Sequence, residues 1–279
     1  MRRKILSLLF FAMAFVICLP VLMTVLGAFM SDYELNRNLS PVLAGGNHMA
    51  HWQLLPLYPT LSHYLDMLLC SPEYLMVFWN SAKIVCCILA GQLLVGVPAA
   101  WAFAGYRSNG SRRLFRLYVV LMLMPFQVTM LSSYLVLDGL QVLNTHASVI
   151  LPAVFSTFPV FLIYRSFCTI PQGMLEAARI DGAGELRIFL HIGLPLGSTG
   201  VLSAMVLGFL EYWSMIEQPM AFLKDPALMP LSLYLPEVRP GQIGNAFAAA
   251  VIALVPAALV FMIGQDYLEQ GIIAAAMKE

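Results

Sequence analysis

The stretch "IVCCILAGQLLVGVPAAWAFAGY" (Ile84–Tyr106) carries no charge from end to end. Crossing the hydrocarbon of a bilayer takes about 20 residues of helix, so the run is long enough to form one span. It lacks the polar–apolar alternation that a strand of a membrane barrel requires. Five more charge-free windows share its character, at 5–31, 117–137, 139–164, 188–210 and 240–265. With their flanks they place helices near 5–29, 75–105, 114–137, 147–168, 197–217 and 244–266. The expected fold class is an all-α membrane protein with six transmembrane helices.

Composition points the same way. The chain is 60% hydrophobic and 11% charged, against about 25% charged residues in a soluble domain. Its net charge of zero gives no general attraction for nucleic acid. Cys18, Cys70, Cys86, Cys87 and Cys168 form no C-x-x-C pair and share no ligand spacing with histidine. They read as small hydrophobes, so neither a disulfide framework nor a metal site is expected. The N-terminal "MRRKILSLLFFAMAFVICLPVLM" (1–23) begins like a secretory signal. Its apolar run is too long for one and ends in no small-residue cleavage site, so a retained first helix is expected.

Basic residues set the orientation. With six spans, one side holds Arg2, Arg3, Lys4, Arg107, Arg112, Arg113, Arg116, Arg165, Arg179, Arg187 and Lys278, and the other holds Arg37, Lys224 and Arg239. Lysine and arginine concentrate on the cytoplasmic side, which puts both termini in the cytoplasm. Residues 1–74 are expected to form the first transmembrane helix and an external loop with His48, His51 and His63. Residues 75–279 are expected to form a core of five transmembrane helices with a cytoplasmic C-terminal tail. "YRSNGSRRLFR" (106–116) reads as a basic turn with Asn109-Gly110 at its apex, fixing topology and facing lipid phosphates. The proline-rich segment 218–243 is expected to fold over the external mouth.

One polar stretch interrupts the apolar runs: "EAARIDGAGELRIFLHIGLPL" (Glu176–Leu196). Pro171 suits a helix start, and Leu175 and Ala178 share one stripe of the short helix that follows. Gly182 can take the left-handed conformation that caps it. A second short helix is expected from Glu185, with Leu186, Phe189 and Leu190 as its apolar stripe and Pro195 breaking the path before the fifth span. Two readings stand on these residues alone. The segment is either an amphipathic connector in the headgroups or a rigid docking piece for a cytoplasmic partner, with Glu176 offering a carboxylate.

The run also resembles the signature loop of ABC-importer permeases: EAA, three residues, G, nine residues, I, one residue, LP. Glu176, Ala177, Ala178, Gly182, Ile192, Leu194 and Pro195 match it at every position. The resemblance covers nearly the whole chain. It includes Asn80-Ser81 at the second span, "LMPFQV" (123–128), "LNTHASVILP" (143–152) and "DYLEQGIIAAAMKE" (266–279). These are similar to the carbohydrate-uptake branch, in particular to the shorter permease typified by the second membrane subunit of the maltose transporter. A departure lies at "EYWSMIEQP" (211–219), where Trp213 is kept but Ser214 and Met215 replace the branch's Asn and Glu. The resemblance implies a sugar without naming it.

It further implies an ABC-importer permease architecture in a bacterial plasma (inner) membrane, with a coupling helix between spans 4 and 5. The partners implied are a second permease subunit, a cytoplasmic ATPase dimer carrying ATP and Mg, and an extracytoplasmic solute-binding protein. The seven matching loop residues become the ATPase-docking set, with the short helix after Gly182 seated in an ATPase cleft and Gln270 and Gly271 of the tail near the same partner. No cofactor is expected on this chain. None of its lysines follows a glycine, so no G-x-x-x-x-G-K-S/T loop can cradle a nucleotide and no enzyme activity is expected. Hydrogen-bonding and aromatic side chains within spans nominate Asn80, Gln127, Ser133, Tyr134, Glu211 and Trp213 for the substrate pathway. An ion-coupled secondary transporter is the alternative; it would normally show an internal repeat, and none is legible.

Overall fold

A computed structural model of the chain describes residues 2–43, 53, 55–105, 108–234 and 242–276. No strand forms among them. The helices are α1 (Arg2–Gly27), α2 (Asp32–Leu43), α3 (Ser62–Leu65), α4 (Pro72–Gly105), α5 (Asn109–Met122), α6 (Phe126–Gly139), α7 (His146–Val154), α8 (Thr157–Phe167), α9 (Gln172–Ile180), α10 (Glu185–Ile188), α11 (Leu194–Trp213), α12 (Glu217–Phe222) and α13 (Ile243–Ala276). Among the described residues five helical runs are long and apolar enough to cross a membrane, and a bent pair brings the count to six. The all-α, multi-span expectation is met.

Several boundaries differ from those expected. The third span is not one helix, because α5 and α6 meet at 104°. Pro125 has no N–H and sits in an extended conformation at the start of α6; its ring also disfavours helix at Met124. The basic turn is shorter than expected. Ser108 caps α5 by accepting the Ser111 N–H, so Arg112, Arg113 and Arg116 are helical, while Arg107 lies outside the described residues. The fourth span breaks at Phe155–Ser156, and Pro159 falls in the first turn of α8, where its missing N–H costs no helical bond. Gln92 of α4, almost fully buried, donates to the Tyr212 hydroxyl at 2.9 Å and to the Ala153 carbonyl at 2.8 Å, which also accepts the Ser156 N–H at 3.1 Å across the break. Broken backbone inside a membrane protein persists where side chains satisfy it in this way.

Pro195 does not break the path into the fifth span. The helix is continuous from Glu185 to Trp213 through a π turn, Phe189–Gly193, in which the Leu194 N–H reaches back to the Phe189 carbonyl. That wider turn absorbs the proline at the head of α11. The second short helix expected after Gly182 is therefore the first turn of the span itself. Its buried face is also not the one expected: Ile188 is 1% exposed, whereas Leu186 is 70% exposed.

The chain divides into two compact units, Met1–Phe78 with Tyr234–Pro256 and Trp79–Leu233 with Ala257–Glu279. In the first, Glu34 is buried and accepts the Leu57 N–H at 2.6 Å, the Ser31 N–H at 3.1 Å and the Tyr58 N–H at 3.4 Å. Ser31 Oγ in turn accepts the Glu34 N–H at 3.5 Å, a capping box at the head of α2. His63, placed in a loop by the sequence, is buried on α3. Its ring faces the Met30 carbonyl at 2.9 Å and Asn245 at 3.1 Å. His48 and His51 lie outside the described residues.

In the second unit, side chains of α8 pack directly onto glycine backbone of α11. A Cβ on Gly200 would lie 2.2 Å from Ser166 Cβ, and one on Gly197 would lie 2.3 Å from the Phe167 ring. Small residues at such crossings are how membrane helices gain packing where lipid supplies no hydrophobic drive.

Candidate functional site

Helix α9 and the turn after it present the polar loop. Leu175 is 3% exposed and Ala178 half-buried, while Glu176 and Ala177 face outward. The helix ends in a paired cap: the Gly182 N–H donates to the Arg179 carbonyl and the Ala183 N–H to the Ala178 carbonyl, each at 3.0 Å. Gly182 has φ +80°, the left-handed conformation that side-chain-bearing residues adopt only at a cost. Arg179 then bridges the turn to Glu185, with Nε to Oε1 at 2.7 Å and Nη2 to Oε2 at 3.3 Å. The pair is exposed, so it orders the turn more than it stabilises the fold.

The loop is fixed to the transmembrane helices through its apolar face. Leu175 of α9 and Ile188 of α10 enter one buried cluster with Val97 and Ala100 of α4 and Val160 and Ile163 of α8. Trp101 packs edge-on against Phe167 at 5.2 Å and against Phe189 at 5.6 Å, and it fills the space where Gly193 has no side chain. On the outer face Met174, Ile180 and Leu186 remain exposed, Ile180 by 86%. The remaining expected docking residues follow along the helix: Ile192 and Leu194 are half-buried and Pro195 is exposed. An element anchored on one face and apolar on the other can transmit a displacement without deforming.

The nominated pathway residues do not form one group. Gln127 and Tyr134 of α6 line a cavity of about 570 Å³ together with Glu217, Phe126, Met130 and Met220. There Gln127 Nε2 donates to Glu217 Oε1 at 2.7 Å. Ser133 lines a different cavity of about 440 Å³ with Ser132, Leu151 and Phe155. Asn80 is buried, and its amide donates to the Ala227 carbonyl at 2.8 Å and the Met229 carbonyl at 3.1 Å. Trp213 is packed flat against Phe209 at 5.4 Å. Glu211 is exposed on α11.

Asn80 has companions. Ser81 Oγ accepts the Leu231 N–H at 2.7 Å, and Asn144 Oδ1 accepts the Lys224 and Asp225 N–H groups at 2.8 and 2.9 Å. His146 Nε2 faces the Leu228 carbonyl at 3.1 Å. Together these side chains strap the segment 222–231 across the ends of α4 and α7. Sequence reasoning missed Glu217 as a cavity residue. The signal available was its position beside Pro219 at the end of the fifth apolar run.

The profile of the family described as "Binding-protein-dependent transport system inner membrane component" matches residues 92–274. The arabinooligosaccharides transport system permease protein of Halalkalibacterium halodurans is 27% identical over 100% of both chains. The lactose transport system permease protein of Rhizobium radiobacter is 27% identical over 72% of this chain and 74% of its own. The sn-glycerol-3-phosphate transport system permease protein of Yersinia enterocolitica is 28% identical over 73% of this chain and 74% of its own. A chain in the crystal structure of a bacterial ABC transporter involved in the import of the acidic polysaccharide alginate superposes with a TM-score of 0.80 at 19% identity, covering 95% of both chains.

Proposed function

The chain belongs to the family of binding-protein-dependent transport system inner membrane components, and from that premise we propose that it forms, with a second permease subunit, the pathway for a sugar or related carbohydrate. As a member of the family it is a multi-pass permease subunit of an ABC importer. The energy comes from ATP hydrolysed with Mg on a cytoplasmic ATPase dimer, and an extracytoplasmic solute-binding protein delivers the substrate. Both termini face the cytoplasm, in keeping with the charge asymmetry of the loops.

One observation carries the coupling part of this reading: α9 and its glycine cap are fixed by Leu175 and Ile188 to the buried cluster shared by α4 and α8. An ATPase that grips Glu176, Ala177 and the exposed apolar residues around them moves the spans as a body. The docking piece in this reading is α9, before Gly182, and the continuous run from Glu185 is the lever it drives. Ile192, Leu194 and Pro195 belong to that lever.

The substrate part rests on the Gln127–Glu217 cavity. Its amide, carboxylate and the nearby Tyr134 and Phe126 rings offer hydrogen bonds and aromatic faces, the pair of features by which sugars are held. Ser133 and Glu211 are further along the pathway, and Asn80 and Trp213 support it by shaping the strap and α11. The relatives named for arabino-oligosaccharides and lactose favour a sugar, and the one named for sn-glycerol-3-phosphate a charged related compound.

The test is reconstitution of the full complex in proteoliposomes. Uptake of a labelled neutral oligosaccharide is expected only with ATP at the ATPase face and binding protein on the other, and the isolated chain is expected to hydrolyse no ATP. Uptake by the isolated chain driven by an ion gradient would replace this reading with a secondary carrier.

A further inference from the structure

A cavity of about 1010 Å³ opens in the second unit beside the start of α5, lined by Arg112, Arg113 and Arg116 together with Phe103, Phe115 and Tyr164. It plays no part in the docking loop or in the Gln127–Glu217 cavity. We infer that it is a binding site for an anionic glycerophospholipid, whose phosphate sits among the three guanidinium groups.

Charge gives the first argument. Arginines beyond a transmembrane helix usually splay into water, but these three converge on one hollow. Among the described residues no carboxylate lies within ion-pair distance of any of them. Two are tethered rather than neutralised: Arg112 Nη2 donates to Asn109 Oδ1 at 2.6 Å, and Arg116 Nε donates to the Arg112 carbonyl at 3.4 Å. Guanidinium groups present planar forks of N–H donors that match phosphate oxygens. Asn109 and Ser111 line the same hollow and add neutral hydrogen-bonding groups.

The second argument selects lipid over a free anion. Part of the same lining is an aromatic wall, with Phe115 and Tyr164 ring centroids 4.0 Å apart and Phe103 5.3 Å from Phe115. A small phosphate ion would leave that wall wet. Further along α5, Leu114, Leu117 and Leu121 are exposed by 56%, 54% and 45%, an apolar strip that begins beside the arginines. Donors at one end and an apolar strip at the other suit a ligand with a phosphate head and an acyl tail. Basic pockets between membrane helices bind such headgroups by this combination.

The experiment uses the assembled transporter in mild detergent, read by native mass spectrometry after exchange into equal amounts of dioleoyl-phosphatidylglycerol and dioleoyl-phosphatidylcholine. The expected result is one phosphatidylglycerol retained per copy of this chain in preference to phosphatidylcholine. Retention should fall about fivefold for each arginine neutralised in the series R113Q, R113Q/R116Q and R112Q/R113Q/R116Q, and remain at the wild-type level in R37Q. Equal retention of the two lipids, or no loss in the triple variant, overturns the site. Displacement of the lipid by millimolar inorganic phosphate overturns its lipid character in favour of a free anion. Photoactivatable phosphatidylglycerol on the wild-type complex decides the matter without any variant: crosslinks should map to 103–118 and 164–168, and crosslinks confined to other segments overturn the assignment.

Discussion

Glu34 is buried yet favours its ionised form. Burial opposes the charge, but the Leu57, Ser31 and Tyr58 N–H groups and the Ser31 hydroxyl outweigh it and hold the carboxyl below its ordinary value. A carboxyl whose pKa is depressed by folding stabilises above its unfolded value, and that contribution is lost as pH falls through the folded one. Protease resistance of the 55–60 segment is therefore expected to be flat near neutrality and to decline below about pH 4.5, the ordinary value. Glu34→Gln should weaken the latch by about 2 kcal/mol at neutral pH; an unaltered digestion profile would count against the latch. Gly182 supports a different prediction. Nothing lies within 4 Å of where its Cβ would be, so any defect must come from φ rather than from a clash. Left-handed backbone costs an ordinary residue about 1–2 kcal/mol, and Asn or Asp less. Transport by the complex should then fall least in Gly182→Asn, further in Gly182→Asp because of the added charge, and most in Gly182→Val, with membrane expression preserved in all three. Equal uptake across the series would remove the cap from the coupling path.

Among the elements, the α8–α11 crossing makes the firmest prediction. Gly200→Leu must force Ser166 Cβ and Oγ away from the backbone, which overpacks the crossing by about 1–3 kcal/mol. A lowered melting temperature in detergent is expected, whereas Leu202→Ala on the exposed face of α11 should leave it unchanged; similar melts for both would show the crossing to be loose. How far such elements can be read from sequence varies with the physics. The spans were legible because a bilayer demands long apolar runs, and the Gly182 cap was legible because glycine at a helix end has one dominant use. The 104° turn between α5 and α6 was not legible, since the apolar run is unbroken through Pro125 and a proline fixes local dihedrals while leaving the exit direction to packing. The face of α10 was misread because Leu186, Ile188, Phe189 and Leu190 are all apolar, so periodicity could not say which of them meets Trp101 and Phe167. The Gln92 link to Ala153 and Tyr212 was invisible, as its members are scattered along the chain. Of the pathway candidates, Gln127 and Tyr134 converge on a cavity while Asn80 holds a strap, a distinction that residue type alone does not make.

At the scale of the whole molecule, composition alone established a membrane protein, and the family fixed it as a permease subunit of a binding-protein-dependent importer. Orientation is open to a direct check. A single cysteine at exposed Ile180 in an otherwise cysteine-free chain should react with a membrane-impermeant maleimide only after the cytoplasmic face is opened, and labelling of intact cells would reverse the topology. The π turn at Phe189–Gly193 has a consequence for the molecule as a machine. A π turn holds one residue more than the α-helical turn it replaces, and each residue of an α-helix advances the phase by about 100°. The two ends of the Glu185–Trp213 run are thus keyed to each other by that surplus residue, like two cams on one shaft. Removing it would leave both ends intact and the shaft straight, but timed to the wrong stroke.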